Sequence, residues 1–286
     1  MMNSGFGSDR GWFRRWRSIR STPWTARAGM TVIALYVAVA ALAPVIAPYP
    51  ERAIVGAAYL PPGGGFLLGT DQLGRDMASR LIFGARNSVG MAFGTTCLAF
   101  LLGGLAGMLA ALRGGWLDQI LGRAVDVLMA IPQLIFALLL LTVFGTSVPV
   151  LIAVIAILES TRIFRVSRAV AMNIVVMDYM EVAKLRGEGW PYLIRRVILP
   201  NSAAPLIAEF GLRFCFVFLF LSALSFLGLG IQPPSTDWGG MVRDTARLIT
   251  FGYLSPLLPA AAIGVLVVAV NFVADWFLQQ SSGFRG

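Results

Sequence analysis

Glu209 and Arg213 stand four residues apart inside the apolar run 202–229, a spacing that sets both on one face of a helix. A carboxylate and a guanidinium so placed can neutralise each other, or can line a polar path through apolar surroundings. A denser set lies upstream in EVAKLRGEGWPYLIRRVILP, residues 181–200, where Glu181, Lys184, Arg186, Glu188, Arg195 and Arg196 interrupt a hydrophobic sequence. Other chemistries are missing. The chain has no histidine and only two cysteines, which removes Ser-His-Asp and Cys-His nucleophiles and any ordinary zinc set. No GxxxxGK[ST] run occurs, and Lys184 does not sit in a glycine-rich phosphate loop, so Walker-type nucleotide binding is excluded. Asp126 and Asp275 invite comparison with an intramembrane aspartyl protease, but both fall near the ends of apolar runs, where a carboxylate reaches water cheaply. No metal or cofactor is expected.

The elements that must position these residues follow from composition. Hydrophobic residues make up 57% of the chain, charged residues 13%, and the mean hydropathy is +0.77. A soluble domain carries roughly 25% charged residues, so this chain is built for lipid. Six apolar stretches suit a bilayer core about 30 Å thick: 30–47, 88–112, 124–144, 148–164, 202–229 and 256–278. Unpaired backbone groups are not tolerated in lipid, and the period-two alternation of an outer-membrane barrel is absent, so the expectation is an all-α membrane protein of six spans.

Charge placement orients those spans. Most of the 23 Lys and Arg fall in the N-terminal tail, in the loop after the fourth span, and in the second-to-third loop. The positive-inside rule then puts both termini in the cytoplasm. The net charge of +9 signals topology and contact with anionic lipid, not nucleic acid. Residues 1–29 read as a basic tail whose Trp12, Phe13, Trp16 and Trp24 suit the headgroup layer. Residues 30–87 hold the first span and an external segment, in which a short amphipathic helix is expected from Asp71. Residues 88–286 form a five-helix core with a cytoplasmic loop at about 165–201. Pro132 should kink the third span, Gly103 and Gly107 should allow close helix packing, and Cys97 and Cys215 should be packing residues inside spans.

The charged stretch has a shape as well as a side. A helix through 177–186, a bend at 187–191, and a second helix from Tyr192 make a helix–bend–helix that projects into the cytoplasm. Lipid headgroups need neither the acidic residues nor the glycine bend, and a protein partner explains both better.

Glu181, Ala183, Gly187, Leu199 and Pro200 fall at the spacing of the EAA motif, with Val182 and Val197 as conservative departures. LGTDQLGRDMASRLIFGARNS (68–88), LSFLGLGIQPPSTDWGGMV (224–242), and Arg123, Asp126 and Pro132 add three further matches. On these residues the chain resembles the inner-membrane permeases of binding-protein-dependent ABC importers, C-type subunit of the dipeptide, oligopeptide and nickel group. Ser160 and Ala223 depart from that pattern, so the resemblance implies a class rather than a solute.

The resemblance implies a type I importer permease fold and a site divided in three. Tyr179, Glu181, Ala183, Lys184 and Gly187 would form a coupling helix docked on an ATPase, with Leu199 and Pro200 fixing the return into the fifth span. Asp71, Arg75, Asp76, Gln232, Asp237 and Trp238 would face partners outside the membrane. Glu209 and Arg213 would contact the path. Implied partners are a second homologous permease, two ATPase subunits, an extracytoplasmic substrate-binding protein and the lipid of a prokaryotic inner membrane. ATP hydrolysis would then lie on other chains. An ion-coupled secondary carrier is the alternative, although matching broken half-helices and a chain of intramembrane charges are not evident in the sequence.

Overall fold

A computed structural model describes residues 23–63, 65–251, 253 and 255–282. The basic tail expected to lie in the headgroup layer is therefore outside the described residues up to residue 22, as is Arg285. Among the described residues the chain is helical and has no strand, only three isolated bridges in the segment 54–76.

Nine helices order the described chain: α1 Trp24–Ile46, α2 Met77–Arg113, α3 Gly115–Ala130, α4 Gln133–Phe144, α5 Val148–Val175, α6 Asp178–Leu185, α7 Trp190–Phe226, α8 Trp238–Thr245 and α9 Leu257–Ser282. Four of them, α1, α2, α7 and α9, are long and apolar enough to cross a membrane, and the bent pair α3–α4 makes a fifth. Six had been expected. The difference is α5, which carries Glu159, Arg162 and Arg165 from its middle onward.

Two expected boundaries also move. The amphipathic helix from Asp71 and the span at 88–112 are one helix, α2, of 37 residues and about 55 Å. Residues 71–76 form a turn instead, and Asp76 caps α2 by accepting from the Ser79 N–H at 2.7 Å. The kink at Pro132 is a break of 91° between α3 and α4. Ile131 is extended (φ −88°, ψ 132°), because a proline disfavours the helical conformation in the residue before it.

The core is set by close approaches of backbone. A Cβ on Gly103 would lie 2.2 Å from the Ser160 carbonyl oxygen, and one on Gly107 would lie 2.6 Å from that of Phe164. These two glycines let α2 and α5 pack along their lengths, as their spacing predicts. Gly29 does the same for α1 and α9, against the Ala269 carbonyl at 2.6 Å. Tyr36 ties that pair by donating to the Ala262 carbonyl at 3.0 Å. Phe218, Trp238, Leu141, Leu151, Ile155 and Leu224 fill the centre. Cys215 is buried as expected, but Cys97 is exposed on the outer face of α2, and both are free thiols. Helix α3 has no buried residue at all.

Candidate functional site

The charged loop folds as a compact knob. Asp178 and Glu181 lie in the first turn of α6 and Lys184 in its last, which suits the helix dipole. The helix ends on Gly187 at φ +77°, whose N–H donates to the Lys184 carbonyl at 2.9 Å while the Glu188 N–H reaches Ala183 at 3.3 Å. This is a Schellman cap, and it needs a left-handed residue after the helix. No atom lies within 4 Å of where a Gly187 Cβ would stand, so the backbone angle alone calls for glycine.

Met180 and Ala183 turn inward and pack with Leu193, Ile194 and Ile198 of α7 and with Met108, Ala171 and Ile174 beneath. Ala183 is 1% exposed, so it seats the knob on its own chain rather than facing outward. The outer face carries Tyr179, Glu181, Val182, Lys184 and Leu185, the last 81% exposed. Leu199 and Pro200 lie within α7, which runs from Trp190. A wider helical turn at Leu193–Ile198 precedes them, with the Leu199 N–H reaching back to Ile194. That turn gives room at the Arg196 carbonyl, which the Pro200 ring would crowd in an α-helix.

A second polar group lies inside the bundle. Glu209 and Arg213 pair on α7 as their spacing predicts, with Nε 2.7 Å from Oε1. Two partners were not foreseen. Glu159 on α5, 1% exposed, brings Oε2 to 3.6 Å from Arg213 Nη1. Its Oε1 accepts from Gln133 Nε2 at 2.6 Å, in the first turn of α4 beside the 91° break. The Arg213 guanidinium also lies over the Phe216 ring, 4.7 Å from its centre. Buried charges therefore gather within the bundle, where the linear sequence showed a single pair. The available signal was Glu159 itself, a carboxylate closing the apolar run VPVLIAVIAIL.

A third set holds α3. Arg165 donates to Asp126 at 2.6 Å, and Arg168 grips both carboxylate oxygens of Asp118. These pairs border an open cleft of about 530 Å³, also lined by Arg123 and Phe164. Asp126 is thus half of a surface ion pair, and Asp275 is exposed on α9.

Outside the bundle, the residues expected to face partners mostly do not. Asp71, Arg75, Asp76, Asp237 and Trp238 are buried, and only Gln232 is exposed. Asp71 takes Arg75 at 2.7 Å and Arg80 at 2.6 Å, and Arg80 reaches Thr236 at 3.0 Å. Asn87 donates to Glu51 and to the Thr236 carbonyl, while the Trp238 indole donates to the Leu81 carbonyl at 2.9 Å. These charges stitch the segment after α1 to the loop before α8. Burial pushes the Asp237 carboxyl above its usual value, while the Gly240 N–H that it caps and Arg243 act the other way.

Residues 99–282 match the sequence pattern of the family described as binding-protein-dependent transport system inner membrane component. The chain belongs to this family. As a permease component it is 35% identical over 257 residues to the di/tripeptide transport system permease protein DppC of Pseudomonas aeruginosa, covering 87% of this chain and 85% of that protein. It is 30% identical to the glutathione transport system permease protein GsiD of Pectobacterium atrosepticum, covering 92% and 88%. It is 31% identical to the probable D,D-dipeptide transport system permease protein DdpC of Escherichia coli, covering 90% and 86%. A solved amino acid ABC transporter with histidines aligns with a TM-score of 0.52 at 20% identity, over 70% of this permease and 93% of that chain, and shares the fold. The permease is accordingly a multi-pass inner-membrane component of a transport system that works with other subunits.

Proposed function

We propose that the chain is one of two homologous permeases in an ATP-driven importer of peptides or similarly sized solutes. The observation that carries this reading is the knob, whose inner face is packed on the bundle while its outer face exposes Tyr179, Val182 and Leu185. An exposed apolar face of this kind fits a protein partner better than water. In this reading the partner is a cytoplasmic ATPase, and the paired permeases sit on two of them. A substrate-binding protein delivers solute from the other side, and the relatives named for dipeptides and glutathione support the solute class. Six crossings with both termini in the cytoplasm complete the topology, with the charges of α5 shielded inside the bundle and toward the cytoplasm.

Nucleotide-driven closure of the ATPases then moves α6 as a rigid body, and with it the ends of α5 and α7. Co-purification tests this. The wild-type chain should carry its ATPase subunits through purification, and Leu185→Glu should insert normally but lose them. Retention of the ATPases by Leu185→Glu together with normal uptake would count against the knob as the docking site.

A further inference from the structure

We propose that Glu159 and Arg213 form a subsite for a zwitterionic solute, the carboxylate receiving an ammonium group and the guanidinium receiving a carboxylate. The proposal rests on the importer reading and narrows its substrate class. Each residue is positioned by neighbours on its own side and leaves polar atoms unanswered. Glu159 Oε1 is taken by Gln133, and Arg213 is fixed by Glu209 at Nε and by the Phe216 ring. Arg213 Nε meets Glu209 as an ion pair without hydrogen-bond geometry, and Glu159 Oε2 and Arg213 Nη1 are buried and make no hydrogen bond.

They stand 3.6 Å apart, too far for the 2.7–2.9 Å of a closed charge-assisted bond. A pair built only to neutralise itself would close, because each orphaned buried group is unfavourable by roughly 1–3 kcal/mol or more. An orphaned acceptor beside an orphaned guanidinium edge is the complement of a molecule bearing an ammonium and a carboxylate. A simple amine would leave Nη1 unanswered, and a simple acid would leave Oε2 unanswered. Oε2 and Nη1 belong to α5 and α7, the two helices that frame the knob, so solute reaches them when those helices part.

The test uses the complete assembly in lipid vesicles, with dialanine and alanyl-phenylalanine as probes. Uptake and ATP hydrolysis stimulated by the binding protein are measured in parallel. Glu159→Gln keeps the contact to Gln133 and removes the charge. It should lower uptake of both dipeptides about tenfold or more while stimulated hydrolysis stays within about twofold of wild type. Unchanged uptake, or uptake and hydrolysis falling in proportion, would overturn the subsite. If Glu159→Gln does not insert, Arg213→Lys carries the same test, since it keeps the charge and loses the forked Nη1 donor; the same split is expected, and a proportional loss overturns. A wild-type assembly that hydrolyses ATP on stimulation but carries neither dipeptide also defeats the subsite, while leaving the importer reading standing.

Discussion

Gly187 and Gly103 are both glycines for different physical reasons, and their substitutions separate accordingly. At Gly187 there is space but the wrong backbone sign, so Gly187→Ala should weaken the α6 cap by about 1–2 kcal/mol. Gly187→Pro also removes the N–H bonded to Lys184 and should abolish uptake while membrane insertion persists, read by vesicle transport beside a membrane-fraction blot. At Gly103 the backbone is ordinary but space is absent, so Gly103→Val should push α2 off α5 and lower stability by about 1–3 kcal/mol, read as a fall in Tm in detergent. Both positions were legible in the sequence, one from a motif and one from a four-residue spacing. Glu159 was not, because its meaning depends on Gln133 and Arg213, which reach it from α4 and α7. Ala183 was legible as a motif residue, but its direction was not, since only the packed α7 shows which face of α6 turns inward.

At the scale of elements, α3 differs from its neighbours in how it is held. It buries no residue and meets α5 through Asp118–Arg168 and Asp126–Arg165. Exposed pairs contribute about 0–1 kcal/mol, although the two-pronged grip of Arg168 on Asp118 lies at the strong end. Asp118→Arg should therefore loosen α3 and raise labelling of a cysteine placed at Gly122, and the exchange Asp118→Arg with Arg168→Asp should restore protection. No rescue by the exchange would show that the pair does not hold the helix. Sequence periodicity located Pro132 but not the size of the break, which depends on how the chain packs beyond Ile131. The continuity of α2 was hidden for a related reason. Its first turns look amphipathic because their apolar side is covered by Trp238, a contact from more than a hundred residues away.

For the whole molecule, the arginine distribution makes a topological prediction. A reporter fused ahead of Met30 should be active only in its cytoplasmic form, and activity confined to the outer side would invert the assignment of the knob. The buried mesh of Asp71, Arg75 and Arg80 holds the opposite end of the bundle, and removing one member would leave a buried charge unmatched. Helix α7 links that end to the knob over 37 residues, about 55 Å, through the wider turn at Leu193–Ile198. Such a rod acts as a lever arm. A tilt of about 5° around its midpoint carries each end roughly 2 Å in opposite directions. Arg213 lies near the fulcrum, where displacement is smallest, so a modest stroke at the knob moves the far end of the rod more than it moves the charged cluster.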